Sequence, residues 1–132
     1  MAKEVVSTSE EGMTSVNSVR DFELTIDANG EETPDTVETL LADYAACYVP
    51  ALRVGGRQRG ADDLGKIENT VTGEVNDDGK LTSVSFDIKV EADLDDETGQ
   101  QIVDRADELC KVHDALKESL HHEDTTIEGG AF

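Results

Sequence analysis

The stretch TPDTVETLLADYAACYVPALRVGG, residues 33–56, decides how the rest of the chain is read. Val37, Leu40, Leu41, Tyr44, Tyr48, Ala51 and Leu52 recur at helical spacing, the pattern of a helix with one buried face. Asp35 with Glu38 three residues later fits a capping pair at its start. Arg53 falls in the predicted last turn, and Gly55-Gly56 reads as the stop. Cys47, one of two cysteines in 132 residues, follows Tyr44 by three positions and so belongs to the apolar stripe. Pro50 comes three residues later; its ring removes a backbone donor and leaves the carbonyl of Ala46 without its usual partner. The resulting kink either opens space around the sulfur or serves packing alone.

Working outward, the upstream residues read as three short strands. VVSTSEEG and TSVNSVR are joined around Glu11-Gly12, then DFELTID alternates Phe22, Leu24 and Ile26 with polar neighbours before the turn Ala28-Asn29-Gly30. Downstream, IENTVTGEV and LTSVSFDIKVEAD flank the turn Asn76-Asp77-Asp78-Gly79, a clear hairpin. Val84, Phe86, Ile88, Val90 and Ala92 give its second strand one dry face. A second helix is predicted from Asp95-Asp96 through ETGQQIVDRADELCKVHDALKESL, with a stripe of Ile102, Ala106, Leu109, Cys110, His113, Leu116 and Leu120. A short strand, TTIEGG, follows. The order β-β-β-α-β-β-α-β predicts one α+β domain over residues 1–132, with two long helices packed on an antiparallel sheet.

The composition bounds the function. Thirty-one acidic residues against eleven basic give a net charge of −20, dispersed along the chain. With apolar residues this periodic the chain is folded rather than disordered. Dispersed acidity on such a domain is the pattern expected of a halophile's cytosolic protein. It argues against nucleic acid or an anionic membrane as partner. No apolar run approaches the ~20 residues that span a bilayer, and MAKEVVSTSEEG has no apolar core of a signal peptide. A cytoplasmic location follows as an expectation, where a permanent structural disulfide is unusual.

Cys110 also lies in an apolar stripe, so both thiols are expected to face one core although 63 positions separate them. Two buried structural thiols are one reading, since free Cys is among the most buried residue types. A reactive pair is the other. A thiolate attacks a peroxide O–O bond and becomes a sulfenic acid, a second thiol condenses with it, and an external dithiol resets the pair. The attacking thiol needs its pKa lowered by a cation or a helix N-terminus. Cys47 is mid-helix, so a side chain such as Arg must supply the charge.

PDTVETLLADYAACYVPAL resembles the central-helix signature of the OsmC/Ohr family, the osmotically inducible protein C and organic hydroperoxide resistance proteins. There a helix start with proline and glutamate leads into a small-residue run ending in Ala-Ala-Cys. Cys110-Lys111-Val112-His113 is similar to the family's second motif, Cys-Pro-Val/Tyr-Ser/His. The resemblance covers essentially the whole chain. It implies an intertwined homodimer with two sites at the subunit interface and reduction of organic hydroperoxides, with Cys47 attacking and Cys110 resolving. It also implies recycling by an external dithiol, in the Ohr branch a lipoyl protein, and no metal or organic cofactor. The family's activating arginine comes from the N-terminal strands, which makes Arg20 the candidate; an exposed strand-end arginine is the alternative.

Two departures accompany the resemblance. Val37 stands where the Ohr-type catalytic glutamate would be, ten residues before the cysteine. Glu38, the acid beside it, would lie ~13.5 Å along a straight helix from Cys47 and on the other side, so a capping role suits it better. Lys111 replaces the proline after the second cysteine. A non-catalytic dimer of the same fold, binding a small apolar ligand in its interface cavity, is therefore the alternative function.

Cys110-x-x-His113 with His121 and His122 could be read as a metal cluster, but no second chelating pair follows at zinc-finger spacing. His113 reads as packed beside the cysteine, and His121-His122 as an exposed helix C-terminus. The cluster Arg53 to Arg59 lacks the Lys-Ser/Thr of a phosphate loop and reads as solvated arginines.

Overall fold

The computed structural model describes all 132 residues, in two units, Met1–Leu40 and Leu41–Phe132. The first unit is an antiparallel meander of β1 (Val6–Thr8), β2 (Thr14–Val19) and β3 (Phe22–Asp27). Arg20 and Asp21 form the turn between β2 and β3, and Arg20 adopts a positive φ of 54°. The predicted turn after β3 is organised by the buried Asp27 carboxylate, which accepts from the amides of Asn29 (2.9 Å) and Glu31 (3.3 Å). Phe22 and Leu24, two positions apart and so on one sheet face, stay 62% and 55% exposed.

Helix α1 (Thr36–Gln58) starts in the first unit and runs on into the second. Its start is the expected capping box: the Glu38 amide donates to Asp35 Oδ1 (2.7 Å) and the Asp35 amide to Glu38 Oε1 (2.9 Å). The stop differs from expectation. Gly55 and Gly56 are buried inside the helix, which continues to Gln58. A Cβ on Gly55 would stand 3.2 Å from the Ile102 carbonyl, and one on Gly56 would stand 3.2 Å from that of Ala61. These glycines serve close backbone approach, not termination.

In the second unit β4 (Ile67–Val75) and β5 (Leu81–Val90) form the predicted hairpin, and β5 is central, with β6 (Glu123–Glu128) on its other side. Val84, Phe86, Ile88 and Val90 are buried, as their alternation requires. They pack with Tyr44, Tyr48, Ala51 and Leu52 of α1 and with Ile102, Val103 and Ala106 of α2 (Asp96–Leu109). β6 pairs with β5 in parallel, Ile88 opposite Ile127, so this sheet is mixed rather than wholly antiparallel. Parallel neighbours need a long crossover, and α2 lies within it.

The second helix is also not continuous. It ends at Leu109; Cys110 is extended (φ −76°, ψ 112°), and a short α3 (Lys111–Ala115) and a 3-10 turn (Glu118–Leu120) follow. The break hides from periodicity because Leu109, Val112 and Leu116 keep helical spacing and all pack against the core. Cys110 closes one helix and opens the next. Its amide donates to the Ala106 carbonyl (2.9 Å), and its Sγ accepts from the His113 amide (3.4 Å).

Candidate active site

Cys47 lies on α1, half-buried, in a groove of about 300 Å³ lined by Pro50, Ala51, Val54, Leu109 and Lys111. The lining is mostly aliphatic, with Lys111 its one charged residue. Pro50 sits within an uninterrupted helix, on an exposed position like that of Ala46, whose carbonyl loses its helical donor. Solvent can therefore satisfy that carbonyl at no burial cost.

Cys110 is 1% exposed. Both cysteines are free thiols, and the fold brings them together: the Cys47 side chain is within hydrogen-bonding range of Cys110. Burial first, and then the hydrogen bond and charge of Cys47, push the Cys110 thiol up to about 11, against the opposing pull of the His113 and Val112 amides. Cys110 is thus held as a protonated thiol.

Behind Cys110 lies a polar network. Tyr44 Oη meets His113 Nδ1 (2.5 Å) and accepts from the His122 amide (3.2 Å). Tyr48 donates to Asp107 Oδ1 (2.7 Å), which also meets His122 Nε2 (2.5 Å). His122 Nδ1 is bonded to the Thr125 hydroxyl, and its ring stacks on Phe86 with centroids 4.4 Å apart. Burial works against the Asp107 charge, but the hydrogen bonds from His122 and Tyr48 outweigh it and hold the carboxyl below its ordinary range. Burial also raises the Tyr44 phenol to about 12 and Tyr48 further, the latter aided by Asp107. His113 is lowered, chiefly by burial, so its ring is neutral near pH 7.

His113 is thus the packed, cysteine-neighbouring histidine that its stripe position suggests. His122 departs from expectation: its side chain is only 4% exposed, because β6 begins at the next residue and carries it onto Phe86 and Asp107. Asp107 was missed altogether. Its signal was an acid four residues after Val103 and three before Cys110, on the dry side of α2. Of the other two predicted site residues, Arg20 lies in the β2–β3 turn with its guanidinium 5.2 Å from the Phe22 ring centre. Glu38 is engaged in the capping box.

The fold, an α+β arrangement with two sheets and a cysteine at a helix break, defines the class, and sequence comparison agrees. The model of the OsmC-like protein family matches residues 17–123, and the chain belongs to that family. A protein of Haloferax volcanii is 43% identical over 124 residues, covering 94% of this chain and 93% of that one. Among solved structures, the OsmC-like protein of Mycoplasma pneumoniae superposes with a TM-score of 0.82 at 14% identity, covering 98% of this chain and 97% of that one. The organic hydroperoxide resistance protein OhrB of Bacillus subtilis gives 0.68 at 23% identity, covering 98% of each. No helix is long and apolar enough to cross a membrane.

Proposed function

We propose that the chain is a thiol-dependent peroxidase for organic hydroperoxides, acting through Cys47 and Cys110. The observation that carries this reading is the asymmetry of two adjacent free thiols: one opens onto an apolar groove, and the other is buried and protonated behind it. The Cys47 thiolate attacks the outer peroxide oxygen; the O–O bond breaks, the alcohol leaves with a proton from solvent, and the sulfur becomes a sulfenic acid. Cys110 then attacks that sulfur, and its thiol proton leaves with the hydroxyl as water while the S–S bond forms. An external dithiol, of which a lipoyl protein is one type, reduces the disulfide and is itself oxidised. Each step uses thiols alone.

The aliphatic lining suits the carbon substituent of an organic hydroperoxide better than it suits hydrogen peroxide. Arg20 is the activating cation that the family resemblance supplies, Lys111 borders the groove as a second cation, and Glu38 contributes through the helix start. The exposed Phe22 and Leu24 support a homodimer in which a second copy covers that sheet face. The net charge of −20 and the Haloferax volcanii relative support a salt-rich cytoplasm and a role in oxidative or osmotic stress defence.

The test is to mix reduced protein, in high salt, with cumene hydroperoxide and to follow peroxide and free thiols together. Wild type consumes peroxide in stoichiometry with its dithiol reductant. Cys47→Ser falls to background, a loss of ~10³-fold or more on the scale of nucleophile deletions; Cys110→Ser completes one turnover and stops at the sulfenic acid. Intact thiols in wild type, with Cys47→Ser indistinguishable from it, would sink the reading. The same groove and the valine at position 37 favour one alternative, a non-catalytic dimer binding a small apolar ligand, and that result would select it.

A further inference from the structure

We propose that Asp107, His113 and His122 form a binding site for one divalent transition-metal ion of the class that takes mixed nitrogen and oxygen ligands, such as Zn²⁺ or Co²⁺. Their ligand atoms all lie within 4.8 Å of one another. They come from three separate segments: α2, α3 and the residue that leads into β6. An ion held at ~2.0–2.2 Å by each requires ligand atoms roughly 3.0–3.5 Å apart. Small side-chain shifts reach that geometry, with His122 Nε2 and Asp107 Oδ1 opening from 2.5 Å and the wider pairs closing.

The surroundings are those that orient metal ligands. A metal-binding histidine ordinarily bonds a second group through its other ring nitrogen, which fixes the ring and its tautomer. His122 Nδ1 has that bond, to the Thr125 hydroxyl, and Phe86 fixes the ring plane by stacking. Asp107 Oδ1 is steadied by the Tyr48 hydroxyl at 2.7 Å, and His113 Nδ1 by Tyr44 at 2.5 Å. On metal entry the proton of His122 Nε2 is relocated through solvent to Nδ1, and the Thr125 hydroxyl, able to accept as well as donate, turns to receive it. The carboxylate offsets half of the ion's charge, and the field of a −20 chain raises the local cation concentration. α2 and α3 meet at Cys110, and occupancy would tie both to the residue that leads into β6, holding Cys110, whose sulfur accepts from the His113 amide, more firmly in its place. This site is independent of the peroxidase reading.

The experiment uses chelator-treated, full-length protein titrated with Co²⁺ and then Zn²⁺. Calorimetry and visible absorption are recorded beside a Cys47→Ser/Cys110→Ser variant that removes thiol ligands. The expected result is one ion per chain in both proteins, with d–d bands, no sulfur-to-cobalt charge transfer, and a melting temperature that rises with metal concentration. His113→Gln and Asp107→Asn each weaken binding at least ~10-fold, as losing even a supporting group does. Should Asp107→Asn not fold, His113→Gln, whose ring is only part-buried, carries the same comparison. Absence of one-to-one binding would overturn the proposal. So would loss of binding in the double serine variant, or affinity unchanged by His113→Gln.

Discussion

Cys47 opens onto an aliphatic groove beside a lysine, whereas Cys110 is sealed among two tyrosines' worth of polar network and the β5 core. The two sulfurs share one chemistry and differ only in what surrounds them. Burial first, with the neighbouring Cys47 adding to it, separates a thiol that solutes can reach from one kept protonated until a partner arrives. The separation is made by local backbone. Cys47 sits on a regular helix, where its position on the stripe decides its exposure, and Cys110 sits at a break that turns its sulfur into a cap.

The sharpest way to break this contrast is differential alkylation. A thiol titrating near 11 is thiolate in about one molecule per thousand at pH 8. With iodoacetamide at that pH, Cys47 is expected to label while Cys110 is spared, and Cys110 labelling should rise with pH until about 11. Peptide mapping by mass spectrometry reads both sites in one sample. Equal labelling at pH 8 would erase the distinction. The stability consequence has a fixed sign. A folded-state pKa raised from 9.0 to about 11 contributes stability fully present below 9.0 and lost as pH rises through about 11.

A smaller effect comes from the wall behind Cys110. Phe86 lies 4.8 Å, centroid to centroid, from both Tyr44 and Tyr48 and stacks on His122. Phe86→Ala is expected to cost ~3–5 kcal/mol of folding stability through the cavity it leaves, measured by denaturant unfolding in high salt. Cys110 should then label faster at pH 8, while Cys47, whose groove Phe86 does not line, keeps its rate. Parallel acceleration of both would mean that the two surroundings are one mobile unit.

Much of this contrast was legible in the sequence, for reasons that also mark its limits. Alternation along β5 and the Asp35/Glu38 capping box are local patterns that appear where expected, and the α1 stripe does from Leu41 onward, whereas Leu40 of that stripe is exposed. The break at Cys110 is not local in that sense, because apolar spacing runs through it. Its trace was in the resemblance: a proline after the second cysteine would sit at the first position of α3, which proline favours, and would make the cysteine extended. Here Lys111 takes that position without the signal. His122 and Asp107 were misread or missed because burial at a chain segment's end depends on what β6 brings it against, here Phe86 and α2. Gly55 in α1 misled for the same reason: its partner is the Ile102 carbonyl, 47 residues away in sequence though near in space.

The smallest effect is the charge of Lys111, the one cation lining the Cys47 groove. An exposed pair of this kind contributes ~0.5–1 kcal/mol, so Lys111→Ala should slow the reaction of Cys47 with peroxide by about two- to fivefold. The difference should shrink as salt is added, because an exposed charge is screened. Lys111→Pro separates charge from backbone, since proline at the first helical position keeps the turn that makes Cys110 a cap. If the ammonium acts on Cys47, the proline variant is as slow as the alanine one and Lys111→Arg restores the rate. If the proline variant instead matches wild type while alanine does not, Lys111 matters as the first residue of α3. The groove then owes its reactivity to a cation other than lysine.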